Sequence, residues 1–292
     1  MTITLAWHRV LNSGNELVIA SDSRLRSHGS LDQAQKIFTL ERGDCALAFC
    51  GDAQIAYPLF VQVATALNNN IKTRSRAEDV TKLKDNLCVI ANQLIGSWDL
   101  SRDEIREAVT DTAILLSGYS WRMNRYYSRY LVWEDDKFVA KDLPSPLEYP
   151  WGERQRSFVF LGDYRHEYFE VLYEVLEERH GAPQSNSPRL LFDFDYEPLE
   201  ALERLLTKSD RCPDLFRIGG HPQVVKVYVY GQCLPFAVTS RDGSSSLLGR
   251  KFLDWEKTER PILDLRKSPP AITYPMESIP RTSVMYPGEE EK

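Results

Sequence analysis

The first place in this chain where residue type and position suggest chemistry is its start, Met1-Thr2-Ile3-Thr4. A threonine hydroxyl is a weak nucleophile at its own pKa and needs a neighbouring base to take its proton. A free α-amino group, with a pKa of about 7.7–8.0, is such a base when the threonine is the first residue of the mature chain. Methionine is normally trimmed before a small second residue. The sequence therefore predicts Thr2 as the mature terminus with no propeptide, while Thr4 stays internal.

Other chemistries find less support. The histidines His8, His28, His166, His180 and His221 show no H-x-x-x-H spacing, so neither a metal site nor a cofactor is expected. Cys45, Cys50, Cys88, Cys212 and Cys233 are odd in number and lack C-x-x-C spacing, which points to buried free thiols rather than a disulfide framework. No G-x-S-x-G elbow and no G-x-x-x-x-G-K-[ST] loop occurs, so any ATP-driven unfolding of a substrate would need a separate ATPase partner. Trp121 to Tyr130, WRMNRYYSRY, interleaves arginine with aromatics as a single-strand platform would. The formal net charge of −6 argues against nucleic acid and anionic membrane, and a strand with one solvated face explains the run better. The N-terminal residues lack a signal-peptide pattern and no stretch is apolar over about 18 residues, so no membrane is expected and the cytoplasm is the expected location.

The elements that must position a site can be read from periodicity. Thr2–Trp7 and Leu17–Ala20 flank Asn12-Ser13-Gly14-Asn15 as a hairpin, and Lys36–Leu40 and Cys45–Cys50 flank Glu41-Arg42-Gly43-Asp44 as a second. Ile55, Ala56, Leu59, Phe60, Val63, Ala64 and Leu67 recur at helical spacing, as do Val80, Leu83, Leu87, Ile90, Ala91 and Leu94. Strands are predicted over 113–119, 126–133, 138–140, 157–161, 224–230 and 234–239, and helices over 168–176 and 199–206. Loops carry Pro144, Pro146 and Pro150, and residues 181–188. A short helix through Phe252 and Trp255 is expected, then a Pro-rich stretch without periodicity. That gives one domain over 2–250 and a partly disordered extension over 251–292. Runs of strands alternating with helix pairs predict an α+β fold of sheets packed face to face beneath helices, a four-layer αββα sandwich in outline.

Several of these segments together resemble proteasome β subunits and the bacterial HslV peptidases. The residues are Thr2-Ile3-Thr4-Leu5-Ala6, Ile19-Ala20-Ser21 leading into Asp22-Ser23-Arg24, Lys36-Ile37-Phe38 and Ala48-Phe49-Cys50-Gly51-Asp52. The likeness returns in Asp214-Leu215-Phe216-Arg217-Ile218-Gly219-Gly220, similar to the family's Asp-x-x-Ser-Gly-Gly, and in the strand pair after it. The resemblance implies an N-terminal-nucleophile threonine hydrolase, a peptidase acting through an acyl-enzyme on a polypeptide or a small amide. In it Lys36 lowers the pKa of the Thr2 amine and hydroxyl, Asp22 holds Lys36, the Gly51 N–H serves the oxyanion, and Asp214 supports the site. It also implies a homo-oligomer built as rings. Two departures are visible: Leu161-Gly162-Asp163 stands where the family usually has Gly-Ser-Gly, and Ile218 stands at the serine of Asp-x-x-Ser-Gly-Gly. A catalytically silent proteasome-fold module that scaffolds or binds is the alternative.

The same resemblance places a substrate pocket between Phe49, two residues before the oxyanion glycine, Leu25 and Ala34. A phenyl ring there predicts a shallow apolar pocket for small or medium neutral side chains, unless Arg24 or Arg26 lines it instead.

Overall fold

The computed structural model describes residues 2–11, 14–26, 29–142, 158–181, 194–229 and 231–275. The loop prolines expected near 144–150, the loop 181–188 beyond Gly181, and residues 276–292 of the extension lie outside them. The chain opens with the expected hairpin, β1 (Ile3–Arg9) antiparallel to β2 (Glu16–Ser21). A two-residue ribbon, β3 (Leu25–Arg26) and β4 (Ser30–Leu31), precedes the pair β5 (Ile37–Thr39) and β6 (Cys45–Cys50). Helix α1 (Ala53–Asn69) follows, then the single turn α2 (Ile71–Arg74), α3 (Val80–Gly96) and α4 (Arg102–Val109). A meander of β7 (Ala113–Ser120), β8 (Arg125–Glu134) and β9 (Lys137–Lys141) comes next, so WRMNRYYSRY is the tip and second arm of a hairpin. Then come β10 (Phe158–Gly162), α5 (Arg165–His180), α6 (Glu197–Ser209), β11 (Gln223–Tyr228) and β12 (Gln232–Thr239).

The region after residue 242 differs from expectation. No helix forms around Phe252 and Trp255; β13 (Ser245–Leu247) and β14 (Arg250–Lys251) make a small hairpin instead. β15 (Ile262–Asp264) then pairs parallel with the end of β12, and β16 (Ala271–Thr273) pairs with β15. Leu263 and Leu265 are fully buried. Their burial draws residues 262–273 into the main sheet, so the folded unit runs past residue 250.

Among the described residues the strands form two large sheets. One runs β10-β1-β2-β11-β12-β13-β14 with β15 and β16 attached at β12, and the other runs β5-β6-β7-β8-β9. Apart from β12–β15, every pairing is antiparallel. Side chains alternate between sheet faces with period two. On β1, Ile3, Leu5 and Trp7 join Tyr168, Leu172, Leu199 and Leu202 of α5 and α6, while Ala6 joins Leu17, Ala48 and Leu115. On β6, Leu47 and Phe49 face Phe60, Val63 and Leu87 of α1 and α3. Three apolar clusters result, one against α5 and α6, one against α1 and α3, and one drawn from strands of both sheets. No helix among the described residues is long and apolar enough to cross a membrane.

Candidate active site

Thr2 enters β1 almost wholly buried, 1% exposed, because β10 runs close beside it. The register sets Ile3 opposite Gly162, and the Asp163 N–H donates to the Thr2 carbonyl at 3.1 Å. A Cβ on Gly162, whose φ is +109°, would lie 1.7 Å from that carbonyl oxygen. Only glycine allows this approach. The glycine of Leu161-Gly162-Asp163 therefore has a steric cause in the backbone around Thr2.

Lys36 lies just before β5, and its side chain crosses between the sheets. Its Nζ donates to Thr2 Oγ1 at 2.8 Å and to Asp22 Oδ1 at 2.9 Å. Both Lys36 and Asp22 are fully buried. The carboxylate also accepts the N–H of Ile3 at 3.0 Å on Oδ1, and those of Arg24 and Gly219 at 3.1 and 3.3 Å on Oδ2. A buried charge pair is tolerated when its remaining lone pairs are satisfied in this way. Burial pushes the Lys36 ammonium below the ordinary lysine range, against the opposing pull of Asp22.

A residue that sequence reasoning missed ties these segments together. Gln223, the first residue of β11, accepts the N–H groups of Lys36 and Ile37 on Oε1 at 2.9 and 3.3 Å. Its Nε2 donates to the carbonyls of Asp22 and Ala34 at 3.0 and 2.8 Å and to Ser23 Oγ at 3.2 Å. One buried amide thus fixes both the Asp22 and the Lys36 strands. A single glutamine at a strand start has no periodic signature to reveal it.

Gly51 follows β6 at φ +129°, and a Cβ there would meet Thr112 Oγ1 at 2.4 Å. The position requires glycine on both counts. Neighbouring Cys50 is buried, which pushes its thiol up to about 12 and leaves it unable to act as a thiolate nucleophile near neutral pH. Asp214 is not brought to this cluster. It is exposed, and its backbone carbonyl accepts the Tyr164 hydroxyl at 2.8 Å. Ile218 is fully buried in the apolar cluster with Leu215, so that position offers no hydroxyl.

The expected pocket residues separate. Leu25 lines a depression of about 420 Å³ with Arg26, Ala53, Tyr57 and Pro58 at the start of α1. Phe49 is fully buried, its ring 5.8 Å from Tyr57 and 4.8 Å from Phe60, so it backs the wall and does not form it. Buried Ala34 is held by the main chain, its N–H donating to the Ser23 carbonyl at 3.0 Å, and it does not line the depression. Arg24 is committed to Asp32, through contacts of 2.6 and 2.8 Å, and to the Ile218 carbonyl at 2.7 Å. Arg26 lines the depression with its guanidinium 4.1 Å from the centre of the Phe216 ring.

No protein-family model matches the chain, and no curated protein matches it.

Proposed function

We propose that this protein is an N-terminal threonine amidohydrolase of the proteasome β-subunit type, cutting amide bonds in polypeptides with Thr2 as nucleophile. The observation that carries the reading is the buried chain Thr2 Oγ1–Lys36 Nζ–Asp22, with contacts of 2.8 and 2.9 Å. A hydroxyl that only packed in a strand would not need a fully buried ammonium aimed at it. The three apolar clusters support the matching architecture, a four-layer αββα sandwich with the two sheets face to face.

In this mechanism cleavage of the Met1–Thr2 bond frees the Thr2 amine. The amine takes the Oγ proton as Oγ attacks the substrate carbonyl carbon, with the Lys36 charge favouring the alkoxide. The Gly51 N–H donates to the resulting oxyanion, a contribution of about 3 kcal/mol in comparable sites. The ammonium returns its proton to the leaving nitrogen as the C–N bond breaks. Water, activated by the same amine, then hydrolyses the Thr2 ester. The depression at Leu25, Ala53 and Tyr57 receives the side chain before the cut bond, a neutral one of small or medium size, because the Arg26 guanidinium on its rim is engaged on the Phe216 ring. Rings of repeated subunits fed by a separate ATPase belong to the same reading. Mass photometry showing only monomers at micromolar concentration would refute that assembly.

Reaction with a peptide epoxyketone, followed by mass mapping, tests the assignment. An adduct on Thr2 is expected in the processed protein and not in Lys36→Ala. A processed protein that forms no adduct, or forms it elsewhere, overturns the reading. The second reading, a silent module of the same fold, draws on the buried Ile218 where the resembling family carries serine. Intact mass separates the two, because a retained Met1 blocks the nucleophile.

A further inference from the structure

We infer that Asp163, held by Arg217, receives the α-ammonium of processed Thr2 and sets the pH at which that amine becomes the general base. This rests on the function proposed above and concerns the last residue of Leu161-Gly162-Asp163, which stands where the resembling family usually has Gly-Ser-Gly.

The geometry begins with the strand register. Gly162 opposite Ile3 puts residue 163 beside Thr2, and the Asp163 N–H to the Thr2 carbonyl at 3.1 Å locks the two backbones together. The Thr2 N–H lies near enough to the Asp163 carboxylate to favour its charged form. That nitrogen is the atom that becomes the free amine. Removing the preceding residue turns an amide N–H facing a carboxylate into an ammonium facing the same carboxylate.

Several charged or titratable groups face Asp163. Arg217, in the loop before β11, is 3.7 Å from Oδ1, too far for a hydrogen bond but close enough to favour the charged carboxylate. Asp111, before β7, opposes it. Lys36 and Cys50 feel its charge across the site, and Tyr164 feels it from the start of α5. Burial is the largest influence and raises the Asp163 carboxyl above the ordinary aspartate range. A half-buried carboxylate whose Arg217 partner stands 3.7 Å away gains from a new ammonium at the Thr2 nitrogen.

The role follows from charge. While the amine is neutral, Asp163 orients it by accepting one N–H. When it has taken the Oγ proton, Asp163 stabilises the ammonium until the proton passes to the leaving nitrogen. Asp163 touches neither substrate nor Oγ, so it is a positioning residue. Its signature is a raised amine pKa, and hence a rate that rises with pH later than it would without the carboxylate.

The test titrates the Thr2 α-amine directly, by competitive acetylation across pH 5–10 read by mass spectrometry, in full-length protein released so that it begins at Thr2. In Asp163→Asn the amine is expected to titrate lower by about one pH unit or more. Arg217→Met, which frees the carboxylate from its competing cation, moves it higher. The pH dependence of Thr2 modification by the epoxyketone shifts in the same directions. Coincident amine titrations in the parent and both variants overturn the inference, whether or not the epoxyketone reacts. Failure of the parent to form a Thr2 adduct overturns the proposed function, and the acetylation result still decides the role of Asp163. Should Asp163→Asn fail to fold, Asp163→Ser replaces it in the same titration.

Discussion

Replacing Lys36 by methionine removes the cation and keeps most of the volume, which separates charge from packing. Asp22 then stays fully buried with the N–H groups of Ile3, Arg24 and Gly219 at 3.0, 3.1 and 3.3 Å but without its ammonium at 2.9 Å. Breaking a buried pair from one side costs about 3–5 kcal/mol. The three remaining charge-assisted bonds hold the cost of Lys36→Met near the lower limit, about 3 kcal/mol. Adding Asp22→Asn removes the stranded charge, but it sets an amide NH2 against the Ile3 N–H, at a cost of about 1 kcal/mol. The double variant is therefore expected to be more stable than Lys36→Met alone, by about 1–2 kcal/mol. Urea unfolding of the parent, both single variants and the double variant measures the coupling. Single-variant losses that simply add would refute a charge-compensated pair. On the proposed function, the stability regained does not bring back reaction of Thr2 with the epoxyketone, since Lys36 acts there through its charge.

Gly162→Ala forces a Cβ into the Thr2 carbonyl and strains a positive φ, so thermal unfolding should report a loss of about 2 kcal/mol or more, and near-parent stability would contradict the close approach. Burial lowers the His8 pKa to about 4, below the roughly 6.5 of an unfolded histidine. Its stabilising contribution is therefore present above pH 6.5 and is lost as pH falls through 4, by at most about 3 kcal/mol. His8→Phe should flatten the stability curve over that window, and parallel curves for parent and variant would refute the assignment. Tyr57→Ala opens the depression beside Leu25, and a fluorogenic peptide library should then favour larger apolar side chains before the cut by roughly tenfold. An unchanged profile would move the specificity pocket elsewhere.

Elements with strong apolar periodicity were legible before the structure. α1 and α3 follow Ile55–Leu67 and Val80–Leu94, and the β1–β2 hairpin follows its alternation. α4 was not, because Arg102–Val109 is mostly charged and only Val109 is fully buried; its signal was the capping box of Ser101 and Glu104. The strands β15 and β16 were hidden by the prolines around them and by their length of three residues each. In the site, Thr2 was named from its position after Met1, and Asp22 and Lys36 from the family resemblance. The burial that gives their contacts meaning depends on β10 and Gln223, far along the chain. Phe49 was expected to line the pocket and instead backs its wall, because sequence does not say which side of β6 it faces. Its neighbours on α1 decide that.

The near-complete enclosure of Thr2 sets a deadline. Gly162 and Asp163, which close over it, and Gln223, which fixes the strands around it, are made some 160 and 220 residues later. At 5–20 residues per second, the nascent terminus stays open for roughly ten seconds or more before β10 exists to cover it. On the proposed function, an aminopeptidase that frees Thr2 has that interval to act, because in the folded chain Thr2 is only 1% exposed. Processing and folding are thus in a race. On the proposed function, a population synthesised faster than it is trimmed holds well-folded molecules without a free Thr2 amine, and slowing translation or supplying more aminopeptidase raises the fraction that reacts with the epoxyketone without changing stability.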